Sequence, residues 1–445
     1  MNALELRAAL ALAAVYMFRM LGLFMVLPVL AVTATDFVDY SPILVGVAIG
    51  AYGLMQALLQ IPMGSLSDKL GRKPVILLGL SVFAVGSIVA AQADTLFELV
   101  IGRFLQGGGA VASAIMALAT DVSREKSRSY VMATIGIAIG FSFYLAVLIG
   151  PIITAKFGLA GIFWLTAATA LASMPLIVFL VPTPVKTLAS IELVPKKASV
   201  KNLVTASQIW RLNVNVMLLH LCITLLFVPL PAVLKSIGFA LDAHWKIYLP
   251  ILLTAIVGLG VLMTLARKGR EQLAIRLACV LMALGLLVLI ALPYGVVPVV
   301  LAAVLFFSGF NYLEASFPTI VARLAPAGEK GSAMGLYASF QFMGAFLGGI
   351  IAGTILTYMS TIWVFLCGVI LSIAMFWVSK GLRPAAKSSR VAYQLSSELD
   401  TQKRQLVALQ QLEGVLEATM SAKSGVVHLK IDAQFDPNAA GKVLG

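Results

Sequence analysis

GSLSDKLGRKP, residues Gly64–Pro74, is the stretch on which the reading of this chain turns. It reads as a charged loop joining two apolar runs, the second and third of the chain, which begin near Pro42 and Pro74. Gly64 lets a neighbouring helix come close, and Gly71 permits a tight turn at positive φ. Asp68 can accept hydrogen bonds from backbone N–H groups at a helix start, or pair with a cation. Arg72, followed by Lys73, offers a forked donor to a second carboxylate. Asp121, at the end of the fourth apolar run, is the candidate for it.

The composition around this stretch demands a bilayer. The 445 residues are 60% hydrophobic and only 11% charged, with a mean hydropathy of +1.00. A soluble domain carries about 25% charged residues. So little charge cannot cover a water-facing surface. The net charge of +13 does not mark a nucleic-acid surface, because the basic residues fall between the apolar runs rather than on one groove-filling patch. Cys222, Cys279 and Cys367 sit inside apolar runs without CxxC spacing, which fits buried thiols and argues against a disulfide framework or a metal knuckle. The first apolar run reads as a span, not a cleaved leader.

A helix needs about 20 mostly apolar residues to cross the hydrocarbon core. Such runs start near Leu10, Pro42, Pro74, Thr95, Ser129 and Gly158, and again near Asn213, Trp245, Leu273, Val296, Gly331 and Thr361. This predicts an all-α polytopic membrane protein of twelve spans: a six-helix bundle over 1–181, a cytoplasmic linker over 182–212 and a second bundle over 213–380. Eighteen Lys and Arg fall in the first residues and the even-numbered connections, against Lys156, Lys235 and Lys246 in the odd-numbered ones. That asymmetry predicts both termini in the cytoplasm. The halves echo one another. Glu125-Lys126 is matched by Glu329-Lys330, and DKLGR at Asp68–Arg72 by ARKGR at Ala266–Arg270.

Residues 381–445 change character. VAYQLSS reads as a strand, DTQKRQLVALQQL as an amphipathic helix, GVLEATMSA and GVVHLKID as two strands, and DPNAAGKVL as a helix. The order βαββα predicts a small ferredoxin-like α+β module without its last strand. An unidentified ligand and self-association are the partners considered for it.

Polar residues inside the spans mark the expected path, since ionisable groups in a membrane are functional by default. Arg19 lies in the first run; Gln56 and Gln60 share a face of the second. The fourth carries RFLQGGGA, with Arg103 and Gln106 on one face, followed by Gly107 and Gly109. In the fifth, Gly140, Gly150 and Pro151 form a small-residue pattern ending in Gly-Pro. His220 lies in the seventh run, Asn311 and Glu314 share a face of the tenth, and Tyr337 and Gln341 one of the eleventh. Glu314 is the carboxylate set well inside a span, hence the simplest proton carrier, with a structural ion pair between Arg19 and Glu314 as the competing use. Glu98 is expected at the interface.

These motifs together resemble the major facilitator superfamily, and within it the drug:proton antiporter group. Gly64–Pro74 matches the family's signature between its second and third helices, Arg103–Gly109 resembles its second motif, and Gly140–Pro151 its antiporter motif with departures. The resemblance implies two six-helix bundles exchanging access around a central site in the bacterial inner membrane. It also implies that Asp68, Arg72 and Asp121 form a charge network stabilising the outward-facing state. The function expected is proton-driven export of a small lipophilic or cationic compound, without enzymatic activity, cofactor, metal or nucleic-acid partner. The partners expected are the lipid bilayer, a small-molecule substrate and protons. A proton-coupled nutrient symporter, or a membrane sensor signalling through the C-terminal module, are the alternatives.

Overall fold

The computed structural model describes residues 1–183, 206–325, 330–382, 389–395, 399–421, 426–431 and 434–444. Most of the expected linker, 184–205, and Glu329 of the second echo lie outside the described residues. Ten continuous helical stretches are long and apolar enough to span a bilayer. Two of them, Tyr130–Leu180 and Leu241–Ala291, hold 51 residues each, about 77 Å of helix at 1.5 Å per residue. That is more than twice a hydrocarbon core. Each is interrupted by a glycine at positive φ, Gly158 in one and Gly269 in the other, so each is two spans and the described total is twelve.

The spans are α1 (Ala3–Met25, resuming as Leu30–Thr33 after a turn at Pro28), α2 (Pro42–Leu70), α3 (Arg72–Ala91) and α4 (Leu96–Gly108 and Ala112–Asp121). Residues 125–157 form α5 and residues 159–175 form α6, which ends in the turn Leu176–Leu180. The second half comprises α7 (Ser207–Phe227 and, after Pro229, Leu230–Ser236), α8 (Trp245–Leu265), α9 (Glu271–Ala291), α10 (Val296–Leu324), α11 (Lys330–Tyr358) and α12 (Thr361–Lys380). The two halves share a device at the same place. Gly71 (φ 97°) turns α2 into α3 and Gly269 (φ 81°) turns α8 into α9, a conformation open to glycine because it lacks a Cβ.

Helix starts follow local chemistry. Asn2 and Glu5 form a reciprocal capping box on α1, and Thr95 and Glu98 another on α4. Glu98 therefore caps the end of a span, where it was expected at the interface. Asp39, from the connection between α1 and α2, adds a second cap to α4, accepting from the Leu96 and Phe97 backbone N–H groups at 2.6 and 3.0 Å.

The end of the bundles carrying Arg72, Arg124 and Lys268 is called here the basic end, and the opposite one the far end. Toward the far end one apolar cluster draws on both halves, joining Met25, Val29, Ile49 and Phe163 to Leu221, Leu225, Ala352 and Val364. Along the seam α2 and α11 pack in antiparallel register with their backbones touching. A methyl on Gly46 would run into the Gly349 carbonyl, one on Gly353 into that of Pro42, and one on Gly53 would lie 2.7 Å from the Phe342 carbonyl. Toward the basic end α5 is open: a Cβ on Gly136 or Gly140 would meet nothing within 4 Å, and Tyr130 and Ile137 are exposed.

The C-terminal unit consists of β1 (Ser389–Gln394), α13 (Leu399–Gln410), β2 (Val415–Ser421), β3 (Val426–Ile431) and α14 (Pro437–Leu444). Its sheet has the order β1-β3-β2, all antiparallel. Leu406 and Leu409 of α13 and Ala440 of α14 pack on Val427, Leu429 and Ile431 of β3. This is the βαββα order expected from the sequence, formed by period-2 and period-3.6 apolar patterns meeting on one face.

Candidate functional site

The Gly64–Pro74 stretch is not a loop. α2 runs through Leu70, Gly71 alone turns the chain, and α3 begins at Arg72. This corrects the expectation of a charged connecting loop. It also removes one use of Asp68, which lies in the last turn of α2 and caps no helix start. Asp68 pairs instead with Arg72, and the Arg72 Nε donates to Asp121 Oδ2 at 3.0 Å. Arg72 Nη1 also donates to Ser67 Oγ at 2.7 Å, and Ser67 Oγ donates to the Gly64 carbonyl. Lys73 donates to the Val178 carbonyl at 3.3 Å, tying α3 to the end of α6. A Cβ at Gly64 would sit 3.1 Å from Ser113 Oγ of α4, so the glycine admits α4. The cluster is wet here: the Asp68 side chain is 63% exposed and that of Asp121 37%.

α4 is broken in the middle, at Gly109–Val111, which hydropathy alone does not reveal. Gly109 and Gly107 lie against the backbones of α3 and α2, at the Gly79 and Tyr52 carbonyls. Arg103 is consumed by this packing. Its Nε donates to the Ala48 carbonyl at 3.2 Å and its Nη1 to Gln106 Oε1 at 2.8 Å. Gln106 in turn donates to Ser87 Oγ, and Gln56 donates to the Gly107 carbonyl at 2.9 Å. The guanidinium also lies 5.1 Å from the Tyr52 ring centroid. Arg103 and Gln56 therefore hold α2, α3 and α4 together. Gln60 lends its carbonyl to Ser113, and its own side-chain oxygen has no partner among the described residues.

Gly150 lies beneath the Met25 carbonyl of α1, 3.0 Å from a hypothetical Cβ, with Pro151 inside the same helix. Gly140 touches nothing. The Gly-Pro end of the α5 pattern is thus a packing point against α1, and its start is not.

In the second half three of the sequence candidates meet. Gln341 Nε2 of α11 donates to Glu314 Oε1 of α10 at 3.1 Å and lies 2.8 Å from His220 Nε2 of α7. His220 Nε2 is 3.6 Å from Glu314 Oε2. The His220 Nδ1 lies 3.1 Å from the Val216 carbonyl. A carbonyl only accepts, so Nδ1 carries hydrogen, and in the neutral imidazole Nε2 is then the acceptor of the Gln341 amide. Asn311, one turn from Glu314, donates to Tyr144 Oη of α5 at 2.8 Å, a polar contact across the two halves. Tyr337 is buried with an unpartnered hydroxyl among the described residues.

A ring cluster closes this site toward the far end. Phe143 stands edge-on to Phe24 at 5.2 Å and to Phe227 at 6.1 Å, and contacts Phe307 and Phe310; Phe310 reaches His220 at 6.0 Å. Four helices contribute, two from each half. The sequence reading passed over these rings, since apolar residues in apolar runs carry no pattern. It also passed over Glu5, which is 4% exposed and accepts from Asn2, twice from the Arg124 side chain, once from the Arg124 backbone and once from Ser127. The signal was present as Asn-x-x-Glu at the chain start. Arg19 stands apart and has no hydrogen-bond partner among the described residues, so the ion pair with Glu314 is not formed.

Residues 12–320 match the model of the Major Facilitator Superfamily. The chain is 36% identical over 431 residues to the inner membrane transport protein YajR of Escherichia coli (strain K12), covering 97% of this chain and 95% of that one. It is 27% identical over 350 residues to the multidrug resistance protein MdtH of Aeromonas hydrophila, covering 74% and 81%. Among solved structures, a bacterial homologue of the human lysosomal transporter Spinster, inward-facing and occupied, superposes with a TM-score of 0.70 at 13% identity, covering 86% of this chain and 98% of that one. The chain is a multi-pass membrane transporter and belongs to the major facilitator superfamily.

Proposed function

We propose that the protein is a proton-coupled exporter of a small molecule, working by alternating access with its basic end in the cytoplasm. The observation that carries this reading is the Glu314–His220–Gln341 cluster, a carboxylate and an imidazole sharing one amide donor inside the spans. A proton arriving on His220 Nε2 turns that acceptor into a donor facing the Gln341 amide. The amide must then turn or withdraw, and Glu314 loses its Gln341 bond to the protonated imidazole beside it. Gln341 sits on α11, where the neighbouring Phe342 carbonyl lies against Gly53 of α2 and Ser339 donates to the Ala57 carbonyl. The charge event is therefore wired to the seam between the halves.

Closure at the far end, with α5 open toward the basic end, supports a conformation that receives substrate from the cytoplasm. The kinship with YajR supports the inner membrane as its site, and that with MdtH supports export. The test is purified protein in liposomes, with an imposed pH gradient and an internal pH dye. A cationic dye such as ethidium and aromatic carboxylates serve as probes. Probe movement that dissipates the gradient, and fails with Glu314→Gln, is the expected result. Probe movement indifferent to the gradient contradicts the reading.

A further inference from the structure

Resting on that reading, we propose that Arg19 is the receptor for a negatively charged group, and that the molecules carried are small organic anions with an apolar body. Arg19 is 1% exposed, and its Nε, Nη1 and Nη2 all lack a hydrogen-bond partner among the described residues. A guanidinium does not shed its proton in a protein, so this is a buried charge with its donors unanswered. Such a charge inside a membrane protein is costly unless something pairs with it.

Among the described residues none is hydrogen-bonded to it. Of the described carboxylates, Glu5, Asp39, Asp68, Glu98 and Asp121 stand at the ends of spans, in the contacts already given. Glu314 belongs to His220 and Gln341. The nearest cation–π partner, the Tyr52 ring, lies at 6.0 Å, the outer limit for that interaction. Arg103 occupies the same ring at 5.1 Å, so the local field is doubly positive. The Tyr52 hydroxyl is itself buried and unpartnered, a further donor beside the guanidinium. Five residues along α1, about 7.5 Å of rise, Phe24 joins the ring cluster of Phe143, Phe227, Phe307 and Phe310. An unanswered cation and its apolar surroundings fit a carboxylate or sulfonate on an aromatic or aliphatic body, the rings standing about 140° around α1 from Arg19. They do not fit the cationic compound expected from the family resemblance.

The experiment measures binding to the full chain purified in detergent. The probes are 1-naphthoate and octanoate, each beside its uncharged amide and the ammonium analogue of matching body. The carboxylates are expected to bind at least ~30-fold more tightly than the amides, the amount a buried charged hydrogen-bonding partner contributes. Arg19→Gln should erase that preference and Arg19→Lys should retain part of it. Thermal unfolding without ligand supplies the control: Arg19→Met should be at least as stable as the parent, because an unanswered buried charge is removed. A parent that binds none of the carboxylates, binds amide or ammonium as well, or keeps its preference in Arg19→Gln overturns the proposal, as does an Arg19→Met variant that unfolds. Binding is read here without membrane or gradient. Its failure leaves proton-driven transport standing, whereas anion binding without gradient-driven flux counts against the transport reading alone.

Discussion

Glu314 Oε2 and His220 Nε2 face each other at 3.6 Å, and one amide, that of Gln341, reaches both groups. The pair sits on α10 and α7, and Gln341 on α11, so three helices of the second half meet at one polar cluster. Glu314→Gln keeps the shape and removes the charge. Gradient-driven flux should fall by about two orders of magnitude, the usual scale for a lost proton-transfer group, while probe binding stays within a few-fold. Flux equal to the parent's would move the proton site elsewhere.

Asp68 and Arg72 lie in the last turn of α2 and the first of α3, and the carboxylates of their cluster reach water in this conformation. An exposed ion pair contributes only ~0–1 kcal/mol. Breaking it should therefore barely destabilise the conformation described here. If the basic end closes around the cluster and excludes water, the same break there costs roughly 2–5 kcal/mol. Arg72→Ala should accordingly slow turnover at least tenfold with unfolding temperature and probe affinity little changed. A proportionate loss of stability in the variant would assign Arg72 to folding instead.

The spans and the module's five elements were legible because hydropathy and period survive in a single sequence. Gly71 announced its turn by residue type, and the ARKGR echo marked where its counterpart Gly269 stands. What stayed hidden is pairing across distance. Arg103 looked like a path residue, yet the Ala48 carbonyl and Gln106 absorb it. Gln341 and His220 stand 121 positions apart, and only folding brings them to 2.8 Å. The break in α4 was written as Gly107–Gly109, but three glycines in a span equally suit close packing, and the fold uses them for both.

Glu5 gathers the start of α1 onto the start of α5 through Arg124 and Ser127. Removing its charge with Glu5→Gln leaves the Arg124 guanidinium without its bidentate acceptor. The unfolding temperature of purified protein should drop by several degrees, Arg124→Ala should produce a similar drop, and the double variant should be little worse than either, as expected for two residues acting as one contact. Additive losses would show that they act independently.

Asp39 accepts two backbone N–H groups of α4, and the one from Leu96 contributes most to holding its carboxyl below the ordinary range. An acid shifted downward adds stability above its unfolded-state value and loses it as pH falls through the folded-state value. Asp39→Asn should thus unfold at a lower temperature than the parent near neutrality, and the gap should close below about pH 4. A gap that is constant with pH would mean the cap does not depend on its charge.

In the mechanism proposed above, protonation at the Glu314–His220 pair drives the exchange between conformations. Spin labels at Val122→Cys, after α4, and Lys268→Cys, between α8 and α9, report the separation of the halves at the basic end, with Cys222, Cys279 and Cys367 replaced. Distance distributions are recorded over a range of pH. The parent's distribution should shift across this range, and His220→Gln, which cannot take the proton, should show one distribution throughout, resembling the parent's at the alkaline end. A parent that does not shift, or a variant that shifts as the parent does, would contradict the mechanism.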